Sequence, residues 1–445
     1  MLSWLIRYLN VFLLILLINK CNGDNVTFVP EPIHITLADL PAPYNTSSAE
    51  KDAHVIPVPD NPQLYVPEGF VVKLFTDELR SPRWPIYTPS GDIIVSESRI
   101  NRISCLIDNN NDGYPDERVT FADESNGLNY PFGMAFVDGY FYVGNRGDTR
   151  RYSWTSGNRF INGTGEIVMT YPPNGHVSRT VLISPDNRQL YVTVGSGSNV
   201  DEEPAPRASV LRANLDGTNN ITFTSGVRNP VGLAFHPITN DLYASVQERD
   251  ELGDDLVPDY FTRINEGEFY GWPYAYLSPR FIEPRQCTEN GTSKRPDLVA
   301  QTRTPDVLFQ AHSAVLDMRF YTGTQFPDKY HNGAFAALRC SWNRDQGTGY
   351  KIVFIPFDHV THRPRGFYED FVYGFLTKPE GPDTFARPVG LLVLKDGSLL
   401  FTEDGNNRTY IVQYTASGKS SSTKLISIGT FSFILYLLNL IVNYN

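Results

Sequence analysis

Along most of the chain the apolar positions fall in short runs of β-branched and aromatic residues, and one arrangement recurs. A polar turn containing Gly, Asp or Asn leads into a strand-like run. The copies are PSGDIIVSES from 89, VDGYFYVGNR from 137, PDNRQLYVTVGS from 185, ITNDLYASVQ from 238, HNGAFAALRCSW from 331 and KDGSLLFTED from 395. Each follows a second strand-like run: RWPIYT, FGMAFV, TVLIS, VGLAFH, LDMRFY or VGLLVL. The first four copies start about 48 to 53 residues apart, and an insertion holding EFYGWPYAY precedes the fifth. Repetition of a hairpin-centred unit at this spacing predicts an all-β chain folded as a six-bladed β-propeller. A β-sandwich with irregular connections is the rival. The early run GFVVKLF is expected to complete the unit built from TYIVQY near the end of the chain and so close the ring.

The flanks read differently. Residues 1–23, MLSWLIRYLNVFLLILLINKCNG, combine Arg7, an apolar run and a small-residue end, as a secretory signal peptide does. Residues 24–62 are rich in Pro, Asn, Ser and Asp and predict an irregular arm ahead of a propeller over 63–415. At 416–445 a small polar segment, TASGKSSSTK, leads into the apolar LISIGTFSFILYLLNLIV. That order reads as a GPI-anchor signal, with attachment near Ala416, Ser417 and Gly418 or in Ser420–Ser422. A C-terminal transmembrane helix is the alternative. Six N-x-S/T sequons, at Asn25, Asn45, Asn162, Asn220, Asn290 and Asn407, agree with passage through the secretory pathway. The expected location is therefore outside the cell, on the plasma membrane or cell wall.

Net charge over the 445 residues is -11 and the pI about 5.3, which argues against a nucleic-acid partner. Cys21 would leave with the signal. Cys105, Cys287 and Cys340 then remain, an odd number at spacings that fit no metal motif or disulfide framework.

In a propeller, residues just before or after repeated strands converge at one mouth. The polar residues so placed are Arg83, Asn145, Arg146, His176, Asn199, Arg228, Asn229, Arg249, Asp250, Trp342, Arg344, Arg387 and Asp404. Several arginines around one cavity of an acidic protein call for an anionic partner, unless each pairs with a neighbouring carboxylate. His176 stands where a strand begins. It is either a loop hydrogen-bonding residue or, beside arginines that disfavour its charged form, a general base near neutral pH. The stretch QERDELGDDLVPDY offers oxygen ligands suited to calcium, with a solvated acidic loop as the plain alternative. Asp108, Asn110, Asp112 and Gly113 match the start of an EF-hand loop, but Val119 stands where that loop needs a bidentate Glu. No nucleophile elbow, Walker loop, HExxH, CxxCH or dinucleotide fingerprint is present.

The segments GHVSRTVLISPDNRQLYVTVGSGSN, GVRNPVGLAFHP, HSAVLDMRFYTGTQFPDKYHNGAF, SWNRDQGTGYKIVFIPF and RPVGLLVLKDGSLLFTED, in this order, closely resemble the L-sorbosone dehydrogenase family. That family includes fungal pyranose dehydrogenases dependent on pyrroloquinoline quinone (PQQ) and is distantly related to soluble quinoprotein glucose dehydrogenase. The resemblance implies a six-bladed propeller with PQQ over its axis, held by calcium and arginines. It implies that His176 takes the proton from a sugar hydroxyl while hydride passes to the quinone. It further implies that Arg228, Asn229, Arg344, Arg387, Trp342 and Asn199 bind the cofactor. The main-chain carbonyls of Glu248 and Arg249, with Asp250, would hold calcium. Electrons would leave to a separate acceptor. One departure is visible: Arg339-Cys340 stands where the family usually reads His-Gly before Ser-Trp-Asn-Arg. Two other functions stay open from the sequence, a non-catalytic surface propeller that binds a glycan or protein, and a calcium-dependent lactonase-type hydrolase.

Overall fold

The computed structural model describes residues 25–415; the signal-peptide and anchor expectations lie outside the described residues. Six antiparallel sheets follow one another along the chain. The first comprises Pro82–Tyr87, Ile93–Glu97, Arg102–Ile107 and Glu117–Ala122. The second runs from Met134–Val137 to Glu166–Thr170 and the third from Val181–Ile183 to Ile221–Ser225. The fourth runs from Asn229–Phe235 to Val307–Ala311 and carries the long insertion before its last strand. The fifth runs from Val315–Phe320 to Tyr368–Val372, and the sixth comprises Pro388–Val393, Leu399–Glu403, Thr409–Tyr414 and Phe70–Thr76. The expected closure is present: Phe70–Thr76 pairs antiparallel with Thr409–Tyr414, Phe70 opposite Tyr414.

The sheets are laid in a ring, as in a β-propeller. Neighbouring sheets touch in cyclic order through their inner strands, the sixth meeting the first. A hydrogen bond crosses every junction between neighbours. Ser98 Oγ donates to Pro131 O, Gly133 N to Arg179 O, Thr180 Oγ1 to Val231 O and Ser245 Oγ to Leu316 O. Leu391 N donates to Asp317 Oδ2, and Thr402 Oγ1 to Arg83 O across the closing junction. Trp84, Phe132, Val231, Leu316 and Val389, one from each of five units, form a small apolar plug where the first strands meet. These strands approach so closely that a Cβ on Gly390 would lie 2.1 Å from the Arg83 carbonyl oxygen.

The core is divided into layers between successive sheets rather than gathered in one centre. Both faces of an inner strand are covered, so Ala334–Leu338 and Leu399–Glu403 are buried throughout, and Ala334–Leu338 reads as a continuous apolar run instead of an alternating one. The layer between the fifth and sixth sheets is rich in aromatics, with Phe70, Phe326, Tyr330, Phe335 and Phe371 in mutual edge and tilted contacts.

The arm over residues 25–62 is mostly irregular but tied down. Asn25–Phe28 pairs in parallel with Leu64–Pro67, Pro32–Ile33 adds an edge to the fifth sheet, and His54–Val55 pairs in parallel with Asp383–Thr384. Between these points it runs beside the loops described next. Tyr44 N donates to Leu252 O and Lys51 N to Trp342 O.

Candidate functional site

Loops from several sheets meet at one end of the ring around a cavity of about 320 Å³, continuous in its lining with a more open rim of about 330 Å³. His176, Arg228, Asp250 and Trp342 line both parts. Asn229 and Glu248 line the inner part and Asn199 the rim. The structure therefore gathers most of the residues singled out in the sequence.

His176 is half-buried at the entry to the third sheet. Its Nδ1 lies 2.9 Å from the Ser196 carbonyl oxygen and 3.2 Å from Ser196 Oγ, whose own proton goes to Ser198 O at 2.7 Å. A carbonyl only accepts, so Nδ1 carries the hydrogen and Nε2 keeps its lone pair. Burial, and then the neighbouring Arg228 guanidinium, push the imidazole pKa down to about 4. The ring is neutral at physiological pH. Gly195 permits this arrangement, because a Cβ there would sit 2.3 Å from Asn229 Oδ1 and 2.6 Å from His176 Cβ.

Arg228 is nearly fully buried. It donates to Glu248 O at 2.6 Å, to Asn199 O and Oδ1 at 3.2 Å each, and pairs with Asp250 Oδ2 at 3.1 Å. Asn199 ties the same group together from its other side, donating to Asp250 O at 3.0 Å and accepting from Asp250 N at 3.0 Å. Trp272, from the insertion, donates to Asn199 O at 2.8 Å. His312 Nδ1 stands 3.4 Å from Asp250 Oδ1.

A second cationic group borders the cavity. The Asp404 carboxylate is completely buried and meets Arg83 at 3.0 Å, Arg339 at 3.0 Å and Arg387 at 2.9 Å. Burial opposes its charge, but the three guanidiniums outweigh that and hold the acid well below the usual carboxylate range. Three cations around one anion leave this corner with a surplus of two positive charges. Arg339, which replaces the histidine of the resembling family, is thus part of a cation cluster, and its Nη1 also lies 3.4 Å from Cys340 Sγ. Arg83, Arg339 and Cys340 line the inner cavity.

Other expected residues are placed elsewhere. Arg344 pairs with Asp255 at 2.8 Å and donates to Asp254 O at 2.6 Å, outside the lining of this cavity. The Arg249 side chain is buried against Glu283 at 3.2 Å. Asn145 fixes its own turn by donating to Asp148 Oδ1 at 2.8 Å. The EF-hand-like loop is a hydrogen-bonded turn in which Asp108, Asp112 and Asp116 accept N–H groups of the loop itself.

The residues fit a polyanion. Arg228 and the Asp404 cluster supply cations on the walls, and the donor Arg83 Nε is buried without a hydrogen-bond partner. They fit calcium less well. The Glu248 carbonyl and the Asp250 carboxylate already receive Arg228, and among the described residues no group of three His, Cys, Asp or Glu side chains is placed to hold a metal ion. Burial pushes the Glu248 carboxyl up to about 8 and that of its neighbour Asp259 to about 6, so Glu248 is protonated at neutral pH. The sequence had marked Arg387, Arg83 and Asp404 singly. Their union was hidden because Arg83 comes from the first sheet while Arg387 and Asp404 flank strands of the sixth.

A sequence profile described as TrAA12-like matches residues 64–415. The chain belongs to this family. It is 31% identical over 375 residues to an uncharacterized protein of Borreliella burgdorferi, covering 79% of this chain and 91% of that one. It is 23% identical over 399 residues to the pyrroloquinoline quinone-dependent sugar dehydrogenase of Hypocrea jecorina, covering 78% and 89%. In fold it is similar to the holo form of the pyranose dehydrogenase PQQ domain from Coprinopsis cinerea, with a TM-score of 0.66 at 19% identity over 80% of this chain and 98% of that one. Relatives of the chain are thus named as PQQ-dependent sugar and pyranose dehydrogenases, which bears out the pyranose-dehydrogenase side of the resemblance and not the sorbosone dehydrogenase assignment itself.

Proposed function

We propose that this protein is a six-bladed propeller quinoprotein that oxidises a sugar, a pyranose, aldose or aldosulose, with PQQ bound in the central cavity and His176 as the general base. The observation that carries the reading is a neutral imidazole with a free Nε2 in a cavity that has cations on its walls. When bound, PQQ would supply the two-electron acceptor of a hydride. Arg228, Asn229 and the Arg83–Arg339–Arg387 cluster would hold its carboxylates and carbonyls. His176 Nε2 would take the hydroxyl proton of the sugar, and the backbone oxygen of Ser196 fixes the tautomer that makes this possible. Trp342, exposed at 37% on the rim, gives the sugar an apolar wall.

Calcium enters this reading only as an ion recruited along with the quinone. The Glu248 carbonyl keeps one lone pair beside the Arg228 bond, and the remaining ligands would come from the quinone and water. A separate acceptor would remove the electrons. Export completes the reading: the N-terminal signal, the C-terminal anchor and the sequons point to the cell surface, and Asn45, Asn162, Asn220 and Asn290 are exposed. No helix among the described residues is long and apolar enough to cross a membrane.

The test is calorimetric titration of the metal-depleted protein with PQQ, with and without calcium, in the wild type and in Arg228→Ala. Binding that is lost in Arg228→Ala supports the reading, and a screen of sugars with a dye acceptor follows. Folded wild-type protein that binds no quinone under either condition overturns it.

A further inference from the structure

The segment that carries His176, residues 171–178, has no strand to pair with, so its carbonyl groups need other donors. Three arginines supply them. Arg146, from the second sheet, donates through Nε to Pro173 O at 2.5 Å. Arg207, from the far hairpin of the third sheet, donates to Asn174 O at 2.7 Å and also to Asn174 Oδ1. Arg179 donates to His176 O at 2.7 Å, Ser178 O at 2.9 Å and Pro172 O at 3.1 Å. Five carbonyl groups of one short loop are thus held by guanidinium groups.

Arg179 is the centre of this arrangement. It is fully buried, no carboxylate pairs with it among the described residues, and its guanidinium lies over the Tyr171 ring at 5.7 Å. A buried, unpaired cation is costly to keep, and here its hydrogen bonds go to the loop of the candidate base. Resting on the quinoprotein reading above, we infer that Arg179, with Arg146 and Arg207 as outer braces, is a positioning residue that fixes the His176 loop and so holds the ring with Nε2 directed at substrate. Arg179 acts through the loop backbone and touches neither sugar nor cofactor.

The charged groups facing His176 are few. Arg228 and Asp250 approach from the fourth sheet, Glu251 stands at the rim, and the Arg207–Glu203 pair lies beside Gly197. Arg339 and Cys340 line the same inner cavity. Of the cations, only Arg179 directly follows the loop. Its removal acts chiefly by freeing the loop, because it supplies only a small part of the repulsion of the imidazolium.

The test uses the full chain with 13C,15N-labelled histidine, the His176 signal being assigned from its loss in His176→Gln. In the wild type the ring should show the Nδ1–H tautomer and stay neutral down to about pH 5. In Arg179→Met the tautomers should mix and the titration midpoint should move upward. Turnover with PQQ and sugar should fall about 10²-fold in kcat with quinone affinity within a few-fold of wild type, and Arg179→Lys should recover part of the loss. If Arg179→Met does not fold, Arg146→Met and Arg207→Met take its place, with smaller changes of the same sign. An unchanged tautomer and midpoint in folded variants overturn the inference. Wild-type protein that binds no quinone overturns the functional reading instead, and the histidine titration still decides the role of Arg179.

Discussion

Asp404→Asn is the perturbation with the largest structural effect to be expected. The substitution keeps the shape of the side chain and removes the only carboxylate among Arg83, Arg339 and Arg387, at contacts of 3.0, 3.0 and 2.9 Å. Removing one partner of a buried ion pair costs about 3–5 kcal/mol, because the remaining charge is left uncompensated. Here three guanidiniums are left, but the amide oxygen still accepts one hydrogen bond, so about 4 kcal/mol is a reasonable value. A folded unit of roughly 390 residues unfolds with an entropy of about 0.8 kcal/mol/K, which converts that loss to a fall in Tm of about 5 °C. The acid's depressed pKa has a definite sign. Its contribution is present above the unfolded carboxylate value of about 3.9 and is lost as the pH falls towards its lower folded value. The asparagine variant should therefore show the deficit at pH 7 and converge on the wild type in strong acid. Calorimetric scans with and without PQQ make the assay complete, because a tricarboxylate that docks on these cations should stabilise Asp404→Asn more than the wild type. A variant that melts with the wild type at pH 7, or gains nothing extra from the ligand, refutes the assignment of this cluster as a one-anion, three-cation ligand station.

Three further outcomes follow from the same geometry. His176→Gln should keep the unfolding free energy within about 1 kcal/mol of wild type and lower kcat by about 10²–10⁴-fold; because the ring titrates at about 4, wild-type kcat/KM should be flat from pH 6 to 8 without an inflection near 6.5. Glu248→Gln replaces an acid whose pKa is pushed up to about 8; the unfolded chain releases that proton at about 4.5, so wild-type stability should fall as pH rises between these values, and the variant should be flatter and more stable at pH 8 in equilibrium unfolding. Trp342→Ala, at an exposed rim position, should leave stability within about 0.5 kcal/mol and raise the sugar KM; an unchanged KM would remove Trp342 from the binding surface.

The regular part of the molecule was legible because the strand pattern is local. Turn residues such as the Asp-Gly of KDGSLLF and the Asp-Asn of PDNRQL mark hairpins that the structure contains. The pairing of GFVVKLF with TYIVQY followed from the unfinished last unit. The convergence of His176, Asn199, Arg228, Asn229 and Asp250 followed from their equivalent positions at strand ends. What stayed hidden is pairing across sheets. Nothing near Arg344 announces that Asp255 will receive it, and Arg83 and Asp404 are neighbours only after the ring closes. Arg179 and Arg207 were passed over for a related reason. Arg179 stands four residues from a glycine in GHVSR and looks like an ordinary polar residue at a strand entry, and only the folded loop shows which carbonyl groups lack donors.

The sixth sheet joins the two ends of the described chain, and Lys73 reaches Gln413 across 340 residues of sequence. Closure over that separation cannot occur until the final strand leaves the ribosome. At a synthesis rate of about 5–20 residues per second, Phe70–Thr76 then waits on the order of half a minute with the edge that will receive Thr409–Tyr414 unpaired. Such an edge is a template for another chain. Lys73, near the middle of this strand, places a charge on it during that interval. The finished ring is held by contacts of high sequence separation, so its assembly is expected to be slow and its opening, once the last strand is in place, to be all-or-none.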